Sequence, residues 1–316
     1  MIYSLGINAR ITMDMHSLNN EGGEGNQIMT RNVTILDEDG KLHTVNGISG
    51  DMYKHIQSEH LYYIALENGL SLCEACKKFD ANRISGDTSF TFDKKERDGD
   101  ILDKVIQRCA VDDLEGILIT NNNKNIPIKS RVEFGWVVGM PEKTKTENYF
   151  HVKLVPDSKK EGREDDGGSN TGQNIFHRPA NSGQYAFVAN MDCYGIGYNA
   201  ISRTYAISDN ERKARFNALI KSMLYTFIKP TGAMRATQHP HIVNAEGVVT
   251  ISGSSVPAPV ISPLNAKYGE QIGEVVKTLN EMEGKTAVEF RKFNSLSGLT
   301  QIMGDILREQ PGKVGA

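Results

Sequence analysis

Apolar and polar residues alternate at the start of the chain, and this alternation predicts a β-strand. Between Tyr3 and Met13 the odd positions are apolar, and the even positions carry small or polar residues. Side chains two residues apart lie on the same face of a strand, so one apolar face would pack against a core. We therefore predict a half-buried strand over residues 3–13, with Asn8 and Arg10 on its polar face.

Three later stretches have apolar residues at the spacing of an amphipathic helix. They are residues 51–67, 208–228 and 266–283. The second gives the strongest signal, because Ser208 and Glu211 have the spacing of a capping box, in which two side chains satisfy free amides at a helix start. All three stretches are predicted as helices.

Short apolar runs between these helices predict further strands, at residues 31–36, 115–120, 130–139 and 247–252. In the run 130–139, four side chains are expected to face the same side of a sheet: Val132, Phe134, Trp136 and Val138. The resulting order is strand, helix, strands, helix, strand, helix. This order favours an α+β fold with a sheet of the split βαβ kind.

Three long insertions separate these elements, at residues 15–48, 70–110 and 140–185. Loops of this length in a compact domain usually carry function or are disordered. The Asn- and Gly-rich stretch 16–31 is predicted as a mobile loop, and the charged stretch 156–172 as a disordered tip. After that tip, aromatic residues flank a Pro-Ala-Asn-Ser-Gly sequence at 179–183, which predicts a projecting β-hairpin.

Composition and charge narrow the class of protein. The 316 residues contain no apolar run long enough to span a bilayer and no signal-like start, so a cytoplasmic protein with no membrane partner is expected. The net charge of −3 argues against a broadly basic nucleic-acid-binding protein, although a local basic groove would suffice. Seven cations cluster between residues 200 and 240: Arg203, Arg212, Lys213, Arg215, Lys221, Lys229 and Arg235.

The start of the first predicted helix has the chemistry of an anion site. Ser49 and Gly50 precede the helix, and Lys54 and His55 follow in its first turns. Unpaired backbone amides and the positive end of the helix dipole favour a phosphate at such a position. The alternative is ordinary capping by Ser49, with Lys54 and His55 simply exposed. The sequence has no Walker or dinucleotide-binding glycine motif, which argues against a nucleotide cofactor.

Two further segments have side chains that suit a nucleic acid. Asn19 and Asn20 lie in the predicted loop after the first strand, where their amides could bind bases or phosphates. Phe176 and His177 precede Arg178 in the predicted hairpin, and aromatic residues beside arginine suit stacking on unpaired bases. The alternatives are a flexible surface loop and packing of the hairpin. Together with the anion site, these segments favour a protein that holds a single-stranded nucleic acid.

The four cysteines raise the question of a metal. Cys73 and Cys76 form a C-x-x-C pair, and Cys109 could supply a third thiolate. Structural zinc sites have four ligands, so His60 or Cys193 would have to complete the set. The alternative is a group of free buried cysteines, which are common. Disulfides are not expected in a cytoplasmic chain.

Candidate catalytic residues are few. Asp14 and His16 follow the predicted first strand and could act as an acid and a base. The sequence has neither a nucleophile-elbow motif nor a zinc-protease motif. The alternative is a polar strand end without chemistry, and we therefore expect a protein that is not an enzyme.

Five segments of the chain resemble the DevR-type CRISPR-associated proteins of the RAMP superfamily. They are NARITMDMHSLNNEGGEGN, GISGDMYKHIQSEHL, CAVDDLEGIL, SRVEFGW and SGQYAF, and the resemblance extends from residue 2 to about residue 290. Members of this family are the repeated subunits that form the backbone of type I Cascade surveillance complexes. The chain is most similar to those of subtype I-B.

The resemblance implies both a fold and a function. The fold would be one domain over residues 1–316, with a modified RRM-like (ferredoxin-like) palm, fingers inserted at about 70–110 and a β-hairpin thumb at about 140–185. Several copies would polymerise along a CRISPR RNA (crRNA) and hold its phosphates and sugars, leaving the bases free to pair with target DNA in antiviral defence. Other Cascade subunits would be further partners. No cofactor would be required, and a structural zinc is the one candidate.

The resemblance also assigns RNA contacts to particular residues. They are Asn8, Arg10, Asn19, Asn20, Ser49, Gly50, Lys54, His55, Phe176, His177, Arg235 and Gln238. Two alternatives remain open. Related type III subunits cleave RNA with an aspartate after the first strand, a position that Asp14 occupies here. The other alternative is an unrelated zinc-dependent enzyme built on Cys73, Cys76 and Cys109.

Overall fold

The computed structural model describes residues 1–154 and 173–315, and its fold is mixed α/β. The strands within these residues are β1 (Ser4–His16), β2 (Asn20–Glu24), β3 (Gln27–Thr30), β4 (Asn32–Leu36), β5 (Leu42–Ile48), β6 (Ile117–Ile119), β7 (Ile126–Ile128), β8 (Val132–Phe134), β9 (Val137–Leu154), β10 (Gln173–Met191), β11 (Tyr198–Asn199), β12 (Thr204–Tyr205), β13 (His241–Ser252) and β14 (Val288–Phe293). The α-helices are α1 (Gly50–Glu67), α2 (Asp98–Arg108), α3 (Ala110–Glu115), α4 (Asp209–Ile228), α5 (Tyr268–Glu283) and α6 (Leu296–Ile306). The predicted disordered tip, 156–172, lies outside the described residues.

One large sheet organises the molecule. Its main strands lie in the order β14–β13–β1–β10–β9–β5–β4, and each is antiparallel to its neighbours. β8 pairs with the C-terminal end of β10, at residues 189–191. The β2–β3 hairpin joins β10 through one parallel pair, Gln27 with His177. A large antiparallel sheet with separate helices agrees with the predicted α+β class.

Helices cover both faces of this sheet. On one face α1, α4 and α6 pack into the main hydrophobic core, where β1 buries Leu5, Ile7, Ala9 and Ile11. On the other face α5 packs against β13 and β14. Val249 of β13 belongs to the main core, whereas Val248 packs with Ile272 of α5, because neighbouring residues of a strand point to opposite faces.

The polar face of β1 is buried from Ser4 to Asn8 and half-buried from Arg10 to Asp14, so the predicted half-buried strand is covered more fully in its first half. Asn8 is fully buried, and a Cβ atom on Gly6 would lie 2.5 Å from Thr250 Oγ1 and 2.9 Å from Val260. The segment around Val260 therefore closes over this face. Alternation shows that a strand has two unlike faces, but it cannot show that a distant segment covers the polar one.

Residues 130–139 form two strands instead of the predicted single strand. β8 ends at Phe134 and β9 begins at Val137. Val137 is buried while Trp136 is 45% exposed, so the prediction that Trp136 faces the same side as Val132 is wrong. The break falls at Gly135, where a Cβ atom would lie 2.5 Å from the Val188 side chain.

One predicted loop and the turn of the predicted hairpin are in fact strands. The stretch 16–31 forms β2 and β3 and buries Leu18. Residues 179–183 do not turn but continue β10, with Asn181 opposite Thr146 of β9. The Asn181 side-chain amide donates to the backbone oxygen of His16 and to Thr30 Oγ1, both at 3.1 Å. A residue type common in turns therefore links β1, β3 and β10.

The three predicted helices are confirmed as α1, α4 and α5. Ser208 caps α4, because its Oγ accepts a hydrogen bond from the amide of Glu211 at 3.3 Å. The reciprocal half of the capping box is absent, since the Glu211 carboxylate pairs with Arg215. Shorter helices α2, α3 and α6 were not predicted. Within the described residues, no helix is long and apolar enough to cross a membrane.

Candidate nucleic-acid interface

The start of α1 is capped from within the chain. Ser49 Oγ accepts a hydrogen bond from Met52 N at 3.2 Å, and Asn19 Oδ1 accepts one from Ser49 N at 2.7 Å. A Cβ atom on Gly50 would lie 2.7 Å from the carbonyl oxygen of Phe134, so β8 abuts the first turn. Asn19 and Ser49 therefore cap this helix start from within the chain, while Gly50 lines a cleft together with Lys54. Contact of these residues with RNA stays a prediction.

Lys54 and His55, one turn further along α1, remain accessible. His55 is exposed, and its ring centroid lies 5.7 Å from that of Phe79. Lys54 is half-buried between two clefts of about 310 and 300 Å³, one beside Phe79 and the other beside Trp136. Burial lowers the pKa of Lys54 because it disfavours the charged ammonium, and the nearby Glu115 carboxylate opposes this shift.

Asn8 and Arg10 are held in structural contacts on the covered face of β1. Asn8 donates to the backbone oxygen of Val248 at 3.2 Å and accepts from the amide of Ile261 at 2.8 Å. Arg10 donates through Nε and Nη2 to the backbone oxygen of Pro263, at 3.0 and 2.9 Å. These bonds fix the segment that crosses the sheet. Asn8 and Arg10 therefore have a structural role, and their contact with RNA stays a prediction that these bonds do not support.

Two of the clustered cations also lie inside the molecule. Arg212 is buried and donates to the backbone oxygens of Ile196 and Gly312, at 2.9 and 2.6 Å. Arg215 is fully buried and donates to Asp113 Oδ2 at 2.9 Å. These two arginines bind partners inside the protein and do not contribute charge to a surface groove, whereas Lys229 and Arg235 of the same stretch line a surface cleft.

The β9–β10 hairpin carries a cluster of accessible aromatic side chains, and the register of the two strands assigns them to two faces. On one face the rings of His151 and Phe176 stack with centroids 5.6 Å apart, and the guanidinium of Arg178 lies 4.7 Å from the Phe176 centroid. On the other face Phe150 and His177 meet edge to face at 5.6 Å. Phe150 is 58% exposed. Rings on both faces, and a guanidinium on one of them, are groups that stack on bases.

A β-bulge lies in this hairpin where it leaves the body of the sheet. The register between β9 and β10 shifts between Gly183 and Tyr185. Gly183 has φ of 143°, a conformation that other residues rarely adopt, and a Cβ atom there would clash with the backbone of Thr144. A glycine is therefore required at this point of β10.

The loop 229–240, which precedes β13, forms hydrogen bonds with both α1 and the β9–β10 hairpin. Arg235 Nη1 donates to both carboxylate oxygens of Glu59 in α1, at 2.8 and 2.9 Å, while its side chain stays 55% exposed. Gln238 Nε2 donates to the backbone oxygen of Pro179 in β10 at 2.8 Å. The structure thus brings Arg235, Gln238 and the segment around Phe176 and His177 together, while Asn8 and Arg10 lie apart.

Asp14 and His16 do not form a catalytic pair. His16 is fully buried, with its ring 5.1 Å from that of Tyr185, and burial lowers its pKa to about 3. Asp14 is only half-buried and lies opposite His241 of β13. The strand is irregular between the two residues, where Met15 has φ of 56°. Because the His16 imidazole is buried, it has no access to a substrate.

Three cysteines and an aspartate converge beside α1. The sulfurs of Cys73, Cys76 and Cys109 and a carboxylate oxygen of Asp112 all lie within 4.8 Å of one another, and all four residues are buried. Cys76 also lines the cleft that contains Lys54. These donors are of the types that bind zinc.

Neither of the residues considered as a fourth zinc ligand lies in this cluster. His60 is elsewhere, bonded to the backbone oxygen of Lys229 at 2.8 Å, and Cys193 is buried near Met191. Asp112 takes that position, and the signal for it was a C-x-x-D spacing that repeats the spacing of the C-x-x-C pair. The aromatic run of β9 that faces Phe176 and His177 was also overlooked: Tyr149, Phe150 and His151.

Comparison with known proteins gives one family and one curated relative. A family model described as CRISPR-associated negative auto-regulator DevR/Csa2 matches residues 7–272. The CRISPR-associated protein Cas7/Cst2/DevR of Methanocaldococcus jannaschii is 24% identical to this chain over 328 aligned residues. The alignment covers 96% of this chain and 99% of that protein, so the two match over nearly their full lengths.

Solved structures with a similar fold include two surveillance complexes. A chain of a structure described as CRISPR RNA-guided surveillance complex has a TM-score of 0.51 at 12% identity, covering 96% of this chain and 98% of that chain. A chain of a second, described as CRISPR RNA-guided surveillance complex, pre-nicking, has a TM-score of 0.50 at 12% identity, covering 96% and 99%. At this level of identity, the similarity shows a shared fold over the length of the chain.

Proposed function

The chain belongs to the CRISPR-associated DevR/Csa2 family, and we propose from this premise that it is a crRNA-binding backbone subunit of a type I Cascade surveillance complex. Several copies polymerise along one crRNA and associate with other Cascade subunits. The guide bases that do not stack on the protein stay free to pair with target DNA in antiviral defence. The protein contributes the geometry, and base pairing contributes the sequence recognition.

The observation that carries this proposal is the aromatic hairpin. Phe176 and His177 are half-buried, Phe150 is exposed, and Arg178 lies over the Phe176 ring. Stacking on aromatic rings tolerates any base, because every base has a π-face. A subunit that must accept every guide sequence needs this kind of contact.

The architecture of the proposed subunit follows from the sheet and its insertions. We interpret the large sheet with α1 and α4 as an RRM-like palm, and residues 70–110 as a finger that packs against α1. Residues 140–185, which include most of β9 and β10, are interpreted as the thumb. On this interpretation the thumb folds over the guide, and Phe176 and His177 lie on its returning strand.

Phosphate and sugar contacts are assigned to accessible polar side chains near this hairpin and along α1. Lys54 and His55 are the candidates on α1, and Arg235 and Gln238 are the candidates in the loop that links α1 to β10. Asn20 is a further candidate; it is half-buried and accepts a hydrogen bond from Ser17 Oγ at 2.6 Å. Contacts to phosphate and sugar position a strand without specifying its sequence.

The proposed subunit is not an enzyme. An RNA-cleaving subunit would use Asp14, but the nearby His16 is buried and cannot serve as its proton-transfer partner. A zinc-dependent enzyme would need a metal with an open coordination position, whereas Cys73, Cys76, Cys109 and Asp112 offer four protein donors in a buried cluster. Neither alternative is favoured by an observation of its own.

Purification of the tagged chain from cells that express a CRISPR array, followed by sequencing of the bound RNA, tests this function. We expect a raised ratio of nucleic-acid to protein absorbance, and processed crRNA as the main bound species. Failure to bind oligoribonucleotides of any sequence at low ionic strength would contradict the proposal. Metal-dependent cleavage of target RNA that is lost in Asp14→Ala would instead support the RNA-cleaving alternative.

A further inference from the structure

We infer that Cys73, Cys76, Cys109 and Asp112 form a structural zinc site that joins the two ends of the insertion at 70–110. Their ligand atoms lie within 4.8 Å of one another, and each of the four residues is buried. With zinc–sulfur bonds of about 2.3 Å, the sulfurs of a tetrahedral site lie roughly 3.8 Å apart, which fits within this separation. The inference does not depend on the proposed RNA-binding function.

Two ligand pairs of equal spacing meet in the cluster. Cys73 and Cys76 lie just before and at the start of a short 3₁₀ helix, Cys76–Lys78. Cys109 and Asp112 lie at the junction of α2 with α3, where Cys109 is the N-cap of α3 and Asp112 is in its first turn. Two pairs of ligands, each with two residues between its members and separated by a longer segment, are the usual arrangement of structural zinc sites.

Backbone amides already point at two of the ligands. Cys76 N donates to Cys73 Sγ at 3.3 Å, and Ile84 N donates to Asp112 Oδ1 at 3.4 Å. Hydrogen bonds of this kind orient ligands and stabilise their negative charge. The Asp112 carboxylate is fully buried, and burial of a carboxylate is costly unless a cation or hydrogen bonds compensate it. A divalent cation bound to all four groups would supply that compensation.

The donor set favours zinc over other divalent metals. Three thiolates exclude magnesium and calcium, which prefer oxygen ligands, whereas zinc accepts both cysteine sulfur and aspartate oxygen. Four protein donors in a buried position leave no site for a substrate, so the metal would be structural. It would join both ends of the 70–110 insertion and fix the cleft that Cys76 shares with Lys54 and His55.

Metal analysis of the full-length chain, purified without a metal-affinity tag, tests the site directly. We expect about one zinc ion per folded chain. Replacement of the metal with cobalt(II) should give the intense visible absorption of tetrahedral cobalt and the near-ultraviolet charge-transfer bands of cobalt–thiolate bonds. Folded protein that contains no stoichiometric metal and gives no such spectrum would overturn the inference.

Matched variants test the assignment of individual ligands. Asp112→Ala should lower zinc affinity by at least about tenfold, since loss of even an outer-shell partner has this effect, while Asp112→Cys should retain stoichiometric metal. Cys193→Ser is the control, because Cys193 is buried outside the cluster. Equal zinc affinity in the wild type, Asp112→Ala and a folded Cys109→Ser variant, measured by competition with a chelator, would overturn the assignment. If Cys109→Ser fails to fold, Asp112→Ala and Asp112→Cys still decide it.

Discussion

Single polar side chains in this molecule often serve the fold at positions where their chemistry also suits a ligand. Asn19 accepts a hydrogen bond from the backbone amide of Ser49 at the start of α1. Asn8 bonds Val248 and Ile261, which lie far from it in the sequence. Buried polar groups are stable only when such partners are present. A residue's suitability for RNA therefore says little until its partners inside the protein are known.

His16 should make stability depend on pH. Burial lowers its pKa to about 3, against about 6.5 in the unfolded chain, so between these values only the unfolded state binds the proton. The free energy of unfolding should therefore fall as the pH decreases from 6.5 towards 3, by up to about 1.4 kcal/mol per pH unit from this residue. Chemical denaturation at several pH values in this window measures the slope.

The matched variants for this experiment are His16→Gln and His239→Gln. The first removes the buried titrating group, so its slope should be smaller than that of the wild type. The second removes an exposed histidine and should leave the slope unchanged. Identical slopes for the wild type and His16→Gln would show that His16 is not the group responsible.

Lys54 should contribute one phosphate contact. For a single strand, each neutralised phosphate contributes about 0.7 to the slope of log affinity against log salt concentration, so Lys54→Ala should reduce that slope by roughly this amount. Titration of a labelled oligoribonucleotide at several salt concentrations measures it. The control is Lys277→Ala, because Lys277 is an exposed cation of α5 on the other face of the sheet. An unchanged slope for Lys54→Ala would remove Lys54 from the interface.

At the scale of elements, local signals predicted the long helices well and the hairpin poorly. The cap of α4 by Ser208 involves residues three apart, so the sequence alone contains it. The extended conformation of residues 179–183 depends on pairing with β9 residues that lie more than thirty positions earlier in the chain. Turn-type residues then continue a strand because Asn181 finds partners in β1 and β3.

The two faces of the β9–β10 hairpin should bind RNA through their rings. Base stacking on an aromatic side chain contributes about 1–3 kcal/mol per base, so Phe176→Ala and Phe150→Ala should each weaken RNA binding by an amount in this range if RNA contacts both faces. Fluorescence anisotropy with a labelled oligoribonucleotide measures the change. An effect of one variant alone would locate the RNA on a single face.

Leu118→Ala is the control for these two variants. Leu118 is an apolar residue of β6, exposed to 53%, and the strand that carries it is outside the large sheet. Its replacement should leave RNA affinity unchanged. If both hairpin variants bind as tightly as this control, base stacking on the hairpin is ruled out.

For the whole molecule, the fold class could be predicted from the sequence, but the long-range contacts that bury or position the candidate site residues could not. Alternation and helical spacing are local properties, and they correctly gave a sheet with helices. The covered face of β1, the buried Arg212 and Arg215, and the position of Asp112 all depend on contacts between distant parts of the chain. The net charge of −3 agrees with a limited interface and does not indicate a broad basic surface.

Affinity should depend little on the RNA sequence and strongly on its length. A specific base contact typically discriminates by about 1–3 kcal/mol, so oligoribonucleotides of equal length and different sequence should bind within about tenfold of one another. On longer strands several copies should bind cooperatively, which light scattering of the complexes would detect. A strong preference for one sequence would contradict a backbone subunit that accepts any guide.

The bulge at Gly183 has a consequence for how this family changes over time. Successive side chains of a strand point to opposite faces of the sheet. Whether the number of residues between Gly183 and Phe176 is odd or even therefore decides the face on which the Phe176 ring lies. Loss of one residue between them would exchange the side of Phe176 and Arg178 with that of His177. Length changes in this segment among relatives should therefore occur in twos, or be matched by a compensating change in β9.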